Sequence, residues 1–132
     1  MKAIGPRAVG LTVDTGGLIA LERGDSRVRA LLRRASEQGL PIDVPAGVVA
    51  QGWRSGPRAA RIARLLADPD VTVPVLDEPT ARAVGLLCGT SGTSDVVGAH
   101  VVLHALERGH HIVTSDPDDL RRVHAETVLV EV

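Results

Sequence analysis

The chain has 132 residues, of which 44% are hydrophobic and 23% charged, and these fractions are ordinary for a folded globular domain. Fifteen Lys or Arg residues face sixteen Asp or Glu residues, so the net charge of −1 excludes attraction of nucleic acid by the molecule as a whole. With one Trp and no Tyr or Phe, the chain cannot build an aromatic platform for stacking bases. A single domain over residues 1–132 is expected, with any nucleic-acid contact confined to a local patch.

The apolar stretches of the chain are short. None approaches the roughly 20 residues that cross a bilayer, and the first residues lack the pattern of a secretory leader. The lone cysteine, Cys88, can form neither an internal disulfide nor a cysteine-based metal cage, and a small residue packed in a helix is the simpler interpretation. The sequence therefore predicts a cytoplasmic protein without membrane association.

The first half of the chain predicts strands that alternate with helices, from apolar periodicity and from capping and breaking residues. In chain order these are a strand over Val9–Val13 that ends at Asp14, a helix that ends before Gly24, a helix from Asp25 or Ser26 to about Gly39, a strand over Pro41–Val44, a helix through Val48, Val49 and Trp53, and an amphipathic helix that buries Ala60, Ile62, Ala63, Leu65 and Leu66. Trp53 is expected to lie in the core or to anchor an interface.

The second half continues the alternation. It predicts a buried strand over Val71–Leu76, a helix over Pro79–Cys88, a loop over Gly89–Ser94, a helix from Asp95 to about Arg108, a strand over His110–Thr114, a helix from Asp116 to about Ala125, and a final strand over Thr127–Val132. Strands of near-continuous apolar character separated by helices imply a parallel sheet covered on both faces. In such sheets ligands bind at the carboxyl ends of the strands, near the switch point in strand order.

Three carboxylates are predicted near one edge of this sheet. Asp14 follows the first strand, Asp116 follows the fourth, and Asp95 opens the helix before the fourth strand. Carboxylate oxygens are the ligands that Mg²⁺ prefers, and a bound Mg²⁺ keeps waters that serve as nucleophiles. Metal-assisted phosphodiester hydrolysis is the chemistry this pattern favours. Asp95, and Asp116 followed by Pro117, are equally typical of helix N-caps.

Four successive segments resemble the signature segments of PIN domains. They are VDTGGLIAL (Val13–Leu21), VPAGVVAQGWR (Val44–Arg54), TSDVVGAHVVL (Thr93–Leu103) and VTSDPDDL (Val113–Leu120). The resemblance implies a three-layer α/β/α sandwich with a central parallel sheet of four to five strands, and an acidic pocket that binds Mg²⁺ or Mn²⁺ and cuts RNA. It also implies similarity to the VapC toxins of VapBC pairs, in which a groove of the toxin holds the VapB antitoxin, and a homodimer.

Two positions depart from the pattern of that family. Gln51 stands where the family usually has a glutamate, and Gly98 stands where it usually has an aspartate, one helical turn after Asp95. An amide oxygen still coordinates a hard cation but carries no charge, so metal affinity should fall. A mid-helix glycine costs about 1 kcal/mol relative to alanine, and Asp95, on the same helix face, is a candidate replacement ligand.

The candidate site therefore has Asp14, Asp95 and Asp116 as metal ligands and Gln51 as a neutral ligand or water-positioning residue. A second group of polar residues lies beside the acids, and an arginine stripe can contact RNA or an antitoxin, or simply form a solvated helix face. The second group is Thr15, Thr114, Ser115 and Asp119, and the stripe is Arg54, Arg58, Arg61 and Arg64. His100 and His104 are spaced i, i+4 but lack the glutamate of a zinc-hydrolase HExxH motif.

Two hypotheses of function follow. The first is a Mg²⁺-dependent or Mn²⁺-dependent endoribonuclease that resembles VapC toxins, with activity weakened at Gln51 and Gly98. The alternative is a degenerate PIN fold that no longer cuts RNA and serves as a binding module for an antitoxin or for RNA. RNA cleavage in the presence and absence of metal separates the two.

Overall fold

The structure is a computed structural model that describes residues 9–124 and 127–132. Five strands form one sheet: β1 (Leu11–Val13), β2 (Ile42–Asp43), β3 (Val71–Thr72), β4 (His111–Thr114) and β5 (Leu129–Glu131). Seven α-helices accompany them in this part of the chain: α1 (Thr15–Glu22), α2 (Ser26–Glu37), α3 (Ala46–Gly52), α4 (Ala60–Ala67), α5 (Glu78–Ser91), α6 (Val96–Arg108) and α7 (Pro117–Val123). A 3₁₀ turn over Gly56–Ala59 leads into α4.

All strand pairs in the sheet are parallel, in the order β3-β2-β1-β4-β5. The chain moves outward from β1 to β3, returns to place β4 beside β1, and then continues outward to β5. The strand order therefore reverses between β1 and β4, where Leu11 pairs with His111 and Val13 with Val113. This is the switch point at which a parallel α/β sheet opens a crevice for ligands.

Helices cover the sheet in two layers. On one side α1 contacts α2, α3 and α4, and on the other α5, α6 and α7 contact one another, while both α1 and α6 pack on β1 and β4. The core between the layers is aliphatic, with fully buried residues such as Leu11, Leu18, Ile42, Val101 and Ile112. Each such side chain stabilises the fold by roughly 1.5–3 kcal/mol. The predicted three-layer α/β/α sandwich with a parallel central sheet is confirmed.

Glycine at position 17 sets how closely α1 approaches β4. A Cβ there would lie 2.7 Å from the carbonyl oxygen of Val113, a distance that no side chain tolerates. The close approach holds the start of α1 beside the end of β4. The parallel pairing of β1 with β4 places Asp14 and Asp116 at the same edge of the sheet.

Several predicted boundaries are wrong. The strand predicted over Val71–Leu76 ends at Thr72, because Pro74 has no N–H with which to continue the strand pairing. Val73, Val75 and Leu76, which were predicted to lie in this buried strand, are exposed. The loop predicted over Gly89–Ser94 begins later, since α5 continues to Ser91 and ends at Gly92, which adopts the left-handed conformation (φ 72°).

Other differences concern burial and helix ends. Trp53 is 42% exposed just after α3 and is not a core residue, and Ala60 and Ala63 are exposed on α4. The first strand begins at Leu11, and α7 ends at Val123, so the predicted end at Ala125 lies outside the described residues. In the described part of the chain no single helix is long and apolar enough to cross a bilayer; α5 and α6 reach that length and composition only as a pair bent by 106°.

Candidate functional site

A cavity of about 300 Å³ opens at the carboxyl edge of the sheet, beside the switch point between β1 and β4. Four carboxylates line it, those of Asp14, Asp95, Asp116 and Asp119. Gln51 lines the same cavity. The structure thus brings together the four residues predicted to form the centre of the site, although they come from four separate segments of the chain.

The three predicted metal-binding acids are also helix N-caps. The Gly17 N–H donates to Asp14 Oδ1 at the start of α1 (2.8 Å), and the Gly98 N–H donates to Asp95 Oδ1 at the start of α6 (2.9 Å). A longer bond joins the Asp119 N–H to Asp116 Oδ1 at the start of α7 (3.4 Å). The N-cap interpretation is confirmed, and because capping uses one oxygen of each carboxylate, the metal-ligand interpretation stays a prediction that the caps do not oppose.

Burial and neighbouring acids set the electrostatics of Asp14. Burial raises the pKa of the Asp14 carboxyl, and the charge of Asp116 acts in the same direction. The Thr114 hydroxyl and the Gly17 N–H oppose these effects without cancelling them. The ionised form of Asp14 is therefore destabilised in the folded protein, and a cation bound at this position would offset that destabilisation.

The pKa of Asp119 also responds to the negative charges that line the cavity. A hydrogen bond with Asp116 and the charge of that residue raise the pKa of Asp119, and Asp95 adds to the shift. Arg122 pairs with Asp119 (2.9 Å) on the exposed side of α7 and does not line the cavity. Four carboxylate groups and one amide oxygen are hard donors, and this donor set fits a divalent cation such as Mg²⁺ or Mn²⁺.

Gln51 is held in place by the first residue of α1. The Thr15 hydroxyl donates to Gln51 Oε1, and both residues line the cavity. The amide oxygen is the atom that could replace a carboxylate oxygen at this position, and the Thr15 bond orients it. Thr15 is therefore a positioning residue for Gln51.

Thr114 connects the two acids that flank the switch point. Its buried side-chain oxygen accepts the Asp116 N–H (2.9 Å), and its hydroxyl interacts with the Asp14 carboxylate. Ser115 lines the cavity, and a Cβ at Gly16 would overlap its hydroxyl. Glycine at 16 keeps that side of the cavity open, a role for which no sequence pattern provides a signal.

Gly98 leaves room for the Asp95 side chain. A Cβ at position 98 would overlap the Asp95 carboxylate and lie 2.9 Å from its Cγ. A side chain at position 98 would therefore require the Asp95 carboxylate, which folds back over the first turn of α6, to turn away from its present position. Gly98 is the third residue of α6 and lies in its first turn, so the predicted mid-helix position is wrong.

The overlap at Gly98 gives a test of the idea that Asp95 replaces the usual acid. We expect Gly98→Asp alone to displace Asp95 and cost about 1 kcal/mol of capping, with little gain in metal binding. In an Asp95→Ser background, where serine keeps a shorter cap, Gly98→Asp should strengthen Mg²⁺ binding about tenfold by restoring a charged ligand. Calorimetric Mg²⁺ titration of the four proteins measures this, and equal effects in both backgrounds would contradict it.

The predicted arginine stripe divides into two parts. Arg54 donates to the Trp53 carbonyl oxygen (2.6 Å), and Arg58 pairs with Glu22 (2.7 Å), so these two are engaged locally. Neither lines the acidic cavity. Arg54 lies in the loop after α3 and Arg58 in the 3₁₀ turn, so the predicted single helix face is wrong: only Arg61 and Arg64 lie on α4.

Arg61 and Arg64 instead line a second cavity of about 240 Å³ between α1, α2 and α4. Arg29 and Arg33 of α2, which were not among the predicted residues, complete the ring of guanidinium groups. The i, i+4 spacing of those two residues is the signal that would have indicated them. Leu21, Leu32 and Leu65 supply the apolar lining. We call this cavity the arginine groove.

A five-stranded parallel sheet between two helical layers, in this strand order, makes the molecule a PIN-like α/β domain. It is similar to a chain in the crystal structure of VapBC2 from Rickettsia felis bound to a DNA fragment from their promoter, with a TM-score of 0.69 and 12% sequence identity. The match covers 92% of this chain and 98% of that one, and at this identity it establishes the fold alone. No protein-family model matches the chain, and no curated protein matches it by sequence.

Proposed function

We propose that the protein is a Mg²⁺-dependent or Mn²⁺-dependent endoribonuclease that resembles VapC toxins. The observation that carries the proposal is the convergence of Asp14, Asp95 and Asp116 in one cavity at the switch point of the sheet. The structural similarity to a VapBC2 chain supports the toxin-like part of the proposal. Hydrolysis of RNA phosphodiester bonds is the reaction that this donor set suits.

In this proposal Asp14 and Asp116 hold the metal, Asp95 contributes a third carboxylate, and Gln51 offers a neutral oxygen. A bound Mg²⁺ or Mn²⁺ would supply charge neutralisation for the phosphodiester and acidify a water. The chain's own residues bind and orient. Thr15 orients Gln51 and Thr114 orients both acids. The Ser115 hydroxyl is placed to donate to a phosphate oxygen, and Asp119 holds Asp116 in position at the start of α7.

The decisive experiment is cleavage of structured RNA by the purified protein with Mg²⁺, with Mn²⁺ and with a chelator. We expect metal-dependent cutting that Asp116→Asn lowers at least about tenfold, since loss of even an indirect metal partner has that effect. Asp118→Asn is the matched control, because Asp118 lies two residues further on in α7 and does not line the cavity. Cutting that survives the chelator would rule out this function.

The proposed antitoxin partner would bind the arginine groove. Within residues 9–124 and 127–132, Arg29, Arg33 and Arg64 make no ion pair, so an acidic amphipathic helix would meet unpaired guanidinium groups around an apolar floor. The structural neighbour, VapBC2, supports the choice of an antitoxin as the partner.

We expect Arg64→Glu to weaken binding of the proposed VapB-like antitoxin about tenfold and to reduce the salt dependence of that binding. Arg82→Glu is the control, because Arg82 pairs with Glu78 on α5, away from the groove. Titration at two ionic strengths measures both effects. Equal losses for the two variants would argue against the arginine groove as the binding surface.

Homodimerisation and a cytoplasmic location also belong to the proposal. Val75, Leu76 and Leu86 are exposed apolar residues on or beside α5, and burying them would favour self-association. Sedimentation of the purified protein gives the oligomeric state directly.

A second function is favoured by positions 51 and 98. Gln51 has no charge and its amide oxygen already accepts a hydrogen bond, while Gly98 has no side chain, so the cavity lacks the two further acids of a full PIN centre. The alternative is a catalytically degenerate binding module. It predicts an inert wild type that binds its partner without metal, and a Gln51→Glu, Asp95→Ser, Gly98→Asp variant that gains cleavage.

A further inference from the structure

A second group of ionisable side chains lies inside the protein, away from the acidic cavity. Asp43 ends β2, His104 lies in the middle of α6, and His110 immediately precedes β4. All three are buried, with 5% to 7% of each residue exposed. None of them lines the acidic cavity or the arginine groove. We call this group the buried triad.

The ligand atoms of the buried triad converge. His104 Nε2 lies 2.6 Å from Asp43 Oδ2, and His110 Nδ1 lies 3.8 Å from the same oxygen. The three candidate donor atoms all lie within 4.8 Å of one another. In a tetrahedral zinc site with bonds of about 2.0–2.1 Å, ligand atoms are roughly 3.3 Å apart. The observed separations bracket that value, so shifts of less than about 1 Å would bring two of the donor pairs to it.

The surroundings of the triad fix its donor atoms. The Thr72 hydroxyl donates to Asp43 Oδ1 (2.6 Å), which leaves Oδ2 directed at the two histidines. The Thr12 side-chain oxygen lies 2.9 Å from His110 Nδ1. The Thr72 bond is typical of the bonds that orient a ligating carboxylate, whereas a cation bound at His110 Nδ1 would have to displace the Thr12 contact.

A cavity at the surface reaches one residue of the buried triad, His104. This cavity has a volume of about 390 Å³, and His100, Asp77 and Glu107 line it as well. The charges of Asp77 and Glu107 are close enough to act on the His100 ring. A cation that enters this cavity meets the carboxylates of Asp77 and Glu107, and also the Arg108 guanidinium, in the wall that includes His104.

We propose that Asp43, His104 and His110 form a structural binding site for a divalent cation of the zinc class. Two imidazole nitrogens and one carboxylate oxygen are a zinc donor set, and a softer one than the all-oxygen set of the acidic cavity. The cation would connect β2, α6 and the start of β4, and so fasten one helical layer to the sheet. It would stabilise the fold without taking part in RNA cleavage.

The test is zinc titration of the full-length protein after chelator treatment and desalting, followed by calorimetry and by thermal unfolding. We expect one equivalent of zinc to raise the unfolding temperature of the wild type and of Asp14→Asn/Asp116→Asn, which lacks two acids of the other cavity. His110→Gln and His104→Gln should weaken zinc binding at least about tenfold. His111→Gln, which alters the neighbouring histidine outside the triad, should bind zinc normally.

Three outcomes would overturn the proposal: a wild type that takes up no zinc, binding that is unchanged in His110→Gln, and binding that is lost in Asp14→Asn/Asp116→Asn. If the histidine variants do not fold, Co²⁺ replaces zinc in the wild type. A tetrahedral Co²⁺ absorption spectrum in both the wild type and the double aspartate variant supports the site, and its absence from both overturns it. Neither result depends on whether the protein cuts RNA.

Discussion

In metal-free protein at neutral pH, Asp14→Asn should unfold at a higher temperature than the wild type, although the same substitution should lower metal-dependent RNA cleavage at least about 100-fold. Asparagine keeps the side-chain oxygen that accepts the Gly17 N–H, so the cap of α1 survives. What it removes is the charge. The unfolding temperature and the cleavage rate of this variant therefore report separately on the destabilisation caused by a buried carboxylate and on the proposed catalytic role of that carboxylate.

The sign of the stability effect follows from the direction of the pKa shift. The pKa of Asp14 is raised in the folded protein, chiefly by burial and also by Asp116, above the ordinary value of 3.8. The folded state then holds the Asp14 proton more tightly than the unfolded chain. This tighter proton binding adds to the free energy of unfolding below pH 3.8, and the contribution is lost as the pH rises through the folded-state pKa of Asp14. At neutral pH the wild type has lost it, whereas the Asp14→Asn variant has no proton to release at this position.

The advantage of Asp14→Asn should accordingly grow between about pH 4 and pH 7. Asp25→Asn is the matched control, since Asp25 also caps a helix but has its pKa lowered by hydrogen bonds from Val28 and Arg27. A lowered pKa stabilises the fold above the ordinary value, so Asp25→Asn should not gain stability as the pH rises. Thermal unfolding with chelator, across this range, measures both. Parallel curves for the two variants would contradict the electrostatic account.

The loss of cleavage in Asp14→Asn has its own reason. Asp14 is the most buried acid of the cavity, and charge–cation attraction is strongest where water is excluded. Mg²⁺ should raise the unfolding temperature of the wild type and leave that of Asp14→Asn unchanged. Retention of wild-type cleavage by Asp14→Asn would remove this residue from the proposed centre.

His104→Leu in zinc-free protein should lower the free energy of unfolding by at least about 1–3 kcal/mol, the usual cost of leaving a buried group without its hydrogen-bond partner, which is larger for a charged group. Burial alone would raise the pKa of Asp43, yet the hydrogen bonds from His104 and Thr72 outweigh it and hold that pKa below its usual value. Without the imidazole, the Asp43 carboxylate loses a contact of 2.6 Å and stays buried.

A second substitution tests whether the unpaired charge of Asp43 causes the loss of stability in His104→Leu. Asp43→Asn/His104→Leu should be more stable than His104→Leu, because asparagine still accepts from the Thr72 hydroxyl and carries no charge. His111→Leu is the control, a partly exposed histidine outside the triad, and should change stability by less than about 1 kcal/mol. Urea unfolding gives all three values. If the double variant is no more stable than His104→Leu, the loss comes from packing instead.

The acidic cavity could be predicted from the sequence because each of its acids carries a local signal. Asp14 and Asp116 follow apolar strands, and Asp95 precedes a helix, so parallel pairing alone brings them to one edge. The order of strands and helices was predictable for the same reason. Boundaries failed where a single residue decided them: Pro74 shortens β3, and Gly92 rather than Gly89 ends α5.

The buried triad carried no such signal. Asp43 and His104 are 61 residues apart, and they meet only because the sheet and the helices bring β2 and α6 together. Alternation along a two-residue strand gives no indication that Asp43 points inward. Likewise, the overlap of a side chain at position 98 with the Asp95 carboxylate depends on a side-chain rotamer rather than on spacing. Tertiary packing decides contacts of this kind, and local sequence patterns do not encode it.

The sharing of oxygens between helix caps and the acidic cavity has a consequence for how such a chain changes over generations. A lineage that no longer needed to cut RNA would still be selected to keep Asp14, Asp95 and Asp116, because each one starts a helix. Position 51 lies exposed near the end of α3 and caps no helix, so it would drift first. Among descendants of this fold, the three capping acids would therefore be kept whether or not the protein cut RNA, and their presence alone would not identify a nuclease.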